Sequence, residues 1–87
     1  MAICTGSGGS LTRDFLSSPA QVYITGDLKY HEARDIEAAG KTAVDVGHFA
    51  SEAIVTRLLK TRLDALSVDG KPEIIEYKKE EDPFITI

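Results

Sequence analysis

Val44-Asp45-Val46-Gly47-His48-Phe49-Ala50-Ser51-Glu52 is the stretch on which the fold turns. A run with β-branched valines meets a glycine, and the residues beyond it take up helical spacing, so the segment reads as strand, turn and helix. The same grammar appears twice upstream. Val22-Tyr23-Ile24-Thr25 closes on Gly26, and Ala2-Ile3-Cys4 leads into the loop Gly6-Ser7-Gly8-Gly9. Between these strands the pattern turns helical. Leu11 to Leu16 makes a short helix stopped at Ser17-Ser18-Pro19, because the residue before a proline is pushed out of the α region. Asp27 can cap a second helix that runs to about Ala39 and stops at Gly40. Thr42 to Val46 is the third strand. From His48 to Leu66, the apolar positions Val55, Leu58, Leu59, Leu63 and Leu66 recur at helical spacing and predict the longest helix. Asp69-Gly70 turns the chain into a fourth strand, Glu73 to Tyr77. Lys78 to Pro83 is mixed-charge and solvated, and Phe84 to Ile87 is expected to dock back. Strand alternating with helix implies a mostly parallel α/β sheet of about four strands with flanking helices.

Composition narrows the function. The chain has 87 residues and is 43% hydrophobic, with a net charge of −4, which suits one small core and offers no basic field for nucleic acid. No stretch approaches the roughly 20 apolar residues of a membrane span. The start, Met1 to Gly6, is too short and too glycine-broken for a signal peptide. The single cysteine excludes an internal disulfide and fits a reducing, cytoplasmic compartment. Cys4 lies in an apolar triplet and reads as an inert core thiol.

In parallel α/β sheets, ligands bind beyond the carboxyl ends of the strands. Three loops leave those ends here: Gly6 to Gly9, Gly26 to His31, and Gly47-His48. Both histidines of the chain and Lys29 therefore fall on one edge. His48 and Glu52 stand four residues apart, so their Cβ atoms lie about 5–6 Å from each other on one helix face and can address one ion. The plain alternative is a glutamate facing the positive end of its helix. Two ligands do not complete a site, since catalytic zinc takes three protein groups plus water; the rest must come from Asp27, His31, Asp45 or another chain. His31 can serve as a general acid or base, or simply pair with Glu32 or Asp35. Lys29 can hold a phosphate or carboxylate, or stand solvated. Asp27 is most economically a helix cap. The glycine loop is neither a P-loop nor a dinucleotide fingerprint, and serves equally as a phosphate cradle or a tight turn. Phe15, Tyr23 and Phe49 read as core.

Three segments, taken together, resemble one family. They are Ile3-Cys4-Thr5-Gly6-Ser7-Gly8-Gly9-Ser10, Tyr23-Ile24-Thr25-Gly26-Asp27-Leu28-Lys29-Tyr30-His31 and Asp45-Val46-Gly47-His48-Phe49-Ala50-Ser51-Glu52. In order and separation they are similar to the C-terminal segment of the NGG-interacting-factor-like proteins, also called GTP cyclohydrolase I type 2, with the bacterial YbgI-type proteins among them. The acidic run before Asp82-Pro83-Phe84 is similar to how such chains end. The resemblance implies a dinuclear site for two divalent metal ions at the mouth of an α/β domain. It makes His48 and Glu52 metal ligands, and it makes Lys29 and His31 part of the same cavity, with an anion-contacting and an acid-base or orienting role. It also implies a ring-like homo-hexamer and metal-assisted hydrolysis of a small nucleotide or phosphate-containing substrate. Mixed imidazole and carboxylate donors suit zinc, iron, manganese or nickel. The N-terminal half of such proteins, with a His-His pair and an acidic ligand, has no counterpart here. The expectation is a single C-terminal domain or fragment, residues 1–87, holding half a metal site, binding metal weakly and inactive alone. Two rivals stand beside it: a metal-binding or assembly module without catalysis, and a nucleotide-binding domain built on the glycine loop.

Overall fold

A computed structural model describes residues 1–87, which divide into two compact units, Met1–Glu52 and Ala53–Ile87. The first unit is the α/β part. It contains β1 (Ala2–Ser7), a single 3-10 turn (Gly9–Leu11) running into α1 (Thr12–Ser17), β2 (Val22–Gly26), α2 (Tyr30–Ala38), β3 (Thr42–Asp45) and α3 (His48–Glu52). The three strands form one parallel sheet in the order β1-β2-β3. Ala2 and Ile3 pair with Tyr23 and Ile24, and the register shifts before Ser7 meets Gly26. Val22 to Thr25 pair in step with Thr42 to Asp45. Three strands are present rather than four, and β1 runs farther into its glycine loop than composition suggests.

Alternation along β2 places Tyr23 and Thr25 on the buried face, as a period of two demands. Tyr23, Phe15 and Ile36 form the core, with Ala2, Cys4, Leu16, Ala20, Leu28 and Ala43 against it. Phe15 and Tyr23 stack with ring centroids 4.9 Å apart. The Tyr23 hydroxyl donates to Gly8 O at 2.9 Å, so the polar end of a core ring also ties down the glycine loop. Burial and the neighbouring Cys4 push the Tyr23 phenol above its usual value.

The core lies beside Lys41, just before β3. Its ammonium donates to the carbonyls of Phe15, Leu16 and Ser18 at 3.1, 3.0 and 2.8 Å. It also stands 4.8 Å from the centre of the Phe15 ring. One cation thereby gathers the carbonyls at the end of α1, of which Phe15 O also accepts from Ser18 N–H and Ser18 Oγ.

The second unit holds α4 (Ile54–Leu66). The helix expected over His48 to Leu66 is thus interrupted at Ala53. The Ser51 hydroxyl donates back to His48 O at 2.8 Å. The apolar stripe of α4 is real but exposed: none of its residues is buried. Asp69 and Gly70 turn the chain with positive φ, closed by an isolated antiparallel bridge between Val68 and Lys71. Glu73 to Tyr77 do not form the expected fourth strand. Its Ile74 carbonyl is taken by Lys60 Nζ at 2.8 Å, and a strand without a partner edge has no ladder to join. Phe84 to Ile87 do not dock back; Phe84 and Ile85 are each 83% exposed. No helix is long and apolar enough to cross a membrane.

Candidate functional site

The carboxyl ends of β2 and β3 are locked together by backbone. At Gly26 a Cβ would lie 2.7 Å from Gly47 C and from His48 N, so the two loops meet where only a glycine fits. Val46 N–H donates to Thr25 O at 2.8 Å. The Asp45 carboxylate then bridges both loops, accepting Leu28 N–H on one oxygen and Gly47 N–H on the other, each at 2.9 Å. Asp45 therefore ties the two loops together with both of its oxygens.

This clamp sets the position of Asp27. The residue adopts φ 53°, left-handed backbone that aspartate tolerates better than most side chains. It does not cap α2. Lys29 is the N-cap residue, and Glu32 Oε2 accepts the Lys29 N–H at 2.8 Å. The Asp27 carboxylate instead reaches His48 Nδ1 at 2.6 Å. On the other side of the ring, His48 Nε2 lies 3.1 Å from Glu52 Oε2, as the helical spacing predicts. All three side chains are about half exposed. The imidazole stands between two carboxylates, and its pKa is raised above the usual 6.5. The hydrogen bond to Asp27 is the largest cause; the charges of Glu52 and Asp27 add to it, and partial desolvation opposes it.

From β1 comes the floor. Gly6 has φ 67°, and a Cβ there would fall 2.1 Å from Glu52 Oε1 and 3.3 Å from His48 Nε2. Its N–H donates to Ser51 Oγ at 2.8 Å, and its carbonyl accepts from Thr25 Oγ1 at 3.3 Å. With Gly6 N–H given to Ser51 and Gly8 N–H directed at Gly26 O, this loop is a structural turn and a bare floor rather than a phosphate cradle.

His48 and Glu52 fit a divalent cation as part of its coordination. One imidazole nitrogen and one carboxylate oxygen face the same space, and such a donor pair suits borderline divalent metals. A carboxylate on the far nitrogen is the usual companion of a metal-ligating histidine. No group of three or more His, Cys, Asp or Glu converges in a metal-holding arrangement. Asp27 faces Nδ1 and does not join Glu52 at Nε2.

The other two predicted residues stand at the start of α2. His31 is exposed, with Nε2 4.0 Å from Glu32 Oε1. It lines a cavity of about 340 Å³ with Gly9, Thr12, Arg13, Glu32 and Asp35. Lys29 is exposed at the N-cap of α2 and enters no ion pair. Sequence reasoning missed Asp27 as a partner of His48, and it missed Gly6 and Ser51. The available signal was an aspartate directly after a strand-ending glycine, where positive φ is common.

A family profile matches this chain, and curated proteins of several organisms are similar to it. The profile of Duf34/NIF3 (NGG1p interacting factor 3) matches residues 1–83. A protein of Lactococcus lactis named GTP cyclohydrolase 1 type 2 homolog is 38% identical over 87 residues, covering 100% of this chain and 33% of that protein. One of the same name from Streptococcus pneumoniae is 45% identical over 58 residues, or 67% of this chain and 22% of its own length. NIF3-like protein 1 of Dictyostelium discoideum is 32% identical over 88 residues, covering 100% of this chain and 24% of that protein. The chain spans a third or less of the length of these relatives.

Proposed function

Because the chain belongs to the Duf34/NIF3 (NGG1p interacting factor 3) family, we propose that His48 and Glu52 are two ligands of a divalent metal centre in a hydrolase-like protein. The observation that carries this reading is the pair itself: Nε2 and a carboxylate oxygen 3.1 Å apart, over a glycine with no side chain to fill the space. A divalent cation there would polarise a substrate oxygen and acidify water.

The chain's own residues do the rest. Asp27 and Asp45 fix the ring and its loop, and Glu52 supplies negative charge. Lys29, unpaired and exposed, is the group we assign to an anionic substrate, and His31 the one we assign to proton transfer or substrate orientation. The names of the bacterial relatives point toward a purine nucleotide as substrate class. Two donors fall short of a complete site, so the remaining ligands of a two-metal centre come from outside these 87 residues. A cytoplasmic, ring-forming homo-oligomer is the assembly this reading expects.

Calorimetric titration with zinc tests it. His48→Ala and Glu52→Ala should each weaken binding roughly tenfold or more, the scale on which metal sites respond to lost supporting groups. Equal affinity in wild type and both variants would remove the ligand assignment. In the full-length protein, where the remaining ligands are supplied, bound metal without turnover of nucleotide or phosphate-ester substrates would mark a binding module instead of an enzyme.

A further inference from the structure

Asp27 carries more structure than an exposed loop aspartate requires. Its helix-capping duty is already discharged by Glu32, which accepts the Lys29 N–H. Its backbone sits at φ 53°, a conformation that costs a non-glycine residue free energy. The loops before and after it are pinned from β3: Asp45 holds Leu28 N–H on one side and Gly47 N–H on the other. Gly26 brings the Asp27 loop against the backbone of Gly47 and His48. All of these constraints end at one contact, Asp27 Oδ2 to His48 Nδ1 at 2.6 Å.

The chemical consequence follows from the ring. A neutral imidazole carries one proton, and the nitrogen that holds it cannot bind a metal. A carboxylate can only accept, and of the two that face the ring Asp27 is the nearer, 2.6 Å from Nδ1 against 3.1 Å from Nε2 to Glu52, so the form with hydrogen on Nδ1 is favoured. The lone pair is then on Nε2, the atom beside Glu52. We propose that Asp27 is a positioning residue that holds neutral His48 as its Nδ1–H tautomer and so presents Nε2, with Glu52, to a divalent cation. The proposal rests on the metal-ligand reading of His48 and Glu52, and its test separates the two.

The chain has only two histidines, so a nitrogen-15 spectrum of the imidazoles is simple, and exposed His31 serves as internal reference. Spectra are recorded at alkaline pH, where both rings are neutral, without metal. In wild type, His48 is expected to carry its proton on Nδ1. Asp27→Gly removes the carboxylate while keeping a residue that accepts positive φ; His48 should then shift toward the Nε2–H form of His31. Asp27→Ala, which also lacks an acceptor, provides a second variant. A His48 proton on Nε2 in wild type, or a tautomer unmoved in folded Asp27→Gly or Asp27→Ala, overturns the inference.

Cobalt(II) titration of the same proteins supplies the second readout. Asp27→Gly should weaken cobalt binding by about 10- to 100-fold, with His48→Ala as the reference for full loss. If His48→Ala leaves cobalt affinity unchanged, the metal-ligand reading fails, and with it the purpose given to Asp27. If His48→Ala weakens cobalt but Asp27→Gly does not, Asp27 alone is misassigned.

Discussion

The two ends of β3 each hold a cationic or protonatable side chain among oxygen atoms, and they are built to opposite purposes. At the entering end, Lys41 meets three neutral carbonyls and an aromatic face. At the leaving end, His48 meets two carboxylates. Neutral carbonyls at the end of a helix gain from one fixed charge and call for nothing more. Two carboxylates around one imidazole leave a surplus of negative charge even when the ring is protonated. The first arrangement is a finished staple. The second is open to another cation, and it lies on the edge where parallel sheets bind their ligands.

The comparison breaks most easily at Lys41. Lys41→Ala removes three charge-assisted hydrogen bonds and the contact with Phe15. Stability should fall by about 2–3 kcal/mol in urea titration, with metal affinity unchanged. A loss of metal binding in folded Lys41→Ala would mean that the two ends are coupled and the contrast is false. Gly26→Ala should follow, at about 1–3 kcal/mol, because its Cβ meets backbone at 2.7 Å and backbone cannot swing aside. Unlike Lys41→Ala, it should also weaken metal binding, since the atoms it displaces belong to Gly47 and His48. His48→Ala is the mirror image of Lys41→Ala. Its urea midpoint at alkaline pH should match wild type while zinc affinity falls roughly tenfold or more; a large stability loss would make His48 a staple too.

How much of this was legible in the sequence depends on the range of the interaction. Strands ending in glycine, the alternation that makes a parallel sheet and the His48–Glu52 pair all rest on neighbours within a few residues, and all are present in the structure. The partners of His48 and Lys41 lie elsewhere. Asp27 is 21 residues from His48, and the Lys41 carbonyls are 23 to 26 residues away, so only the register of the folded sheet brings them together. Asp27 also has a strong local explanation as a cap, which hides its long-range one. The missing fourth strand teaches the same lesson from the other side. Glu73 to Tyr77 have strand-like composition, but a strand exists only where an edge receives it. His31 sits on the predicted edge, and only the fold shows that it lines a cavity with Gly9, Thr12 and Arg13, which lie about 20 residues upstream.

The finest test of the leaving end is its response to pH. His48 has a folded pKa raised above 6.5 by Asp27 and Glu52. A group whose pKa is raised on folding binds its proton more tightly in the folded state, so it stabilises fully below the unfolded value and loses that contribution as pH rises through the folded one. The stability difference between wild type and His48→Ala, measured by urea titration with a chelator present, should therefore shrink with rising pH, beginning near 6.5. Divalent metal should reverse the trend for His48, because a cation competes with the proton for Nε2 and binds better as the proton leaves. A His48 difference that stays level from about pH 6 to about pH 9 would show that the two carboxylates do not hold the ring, and would leave the leaving end of β3 no more open to a cation than the entering one.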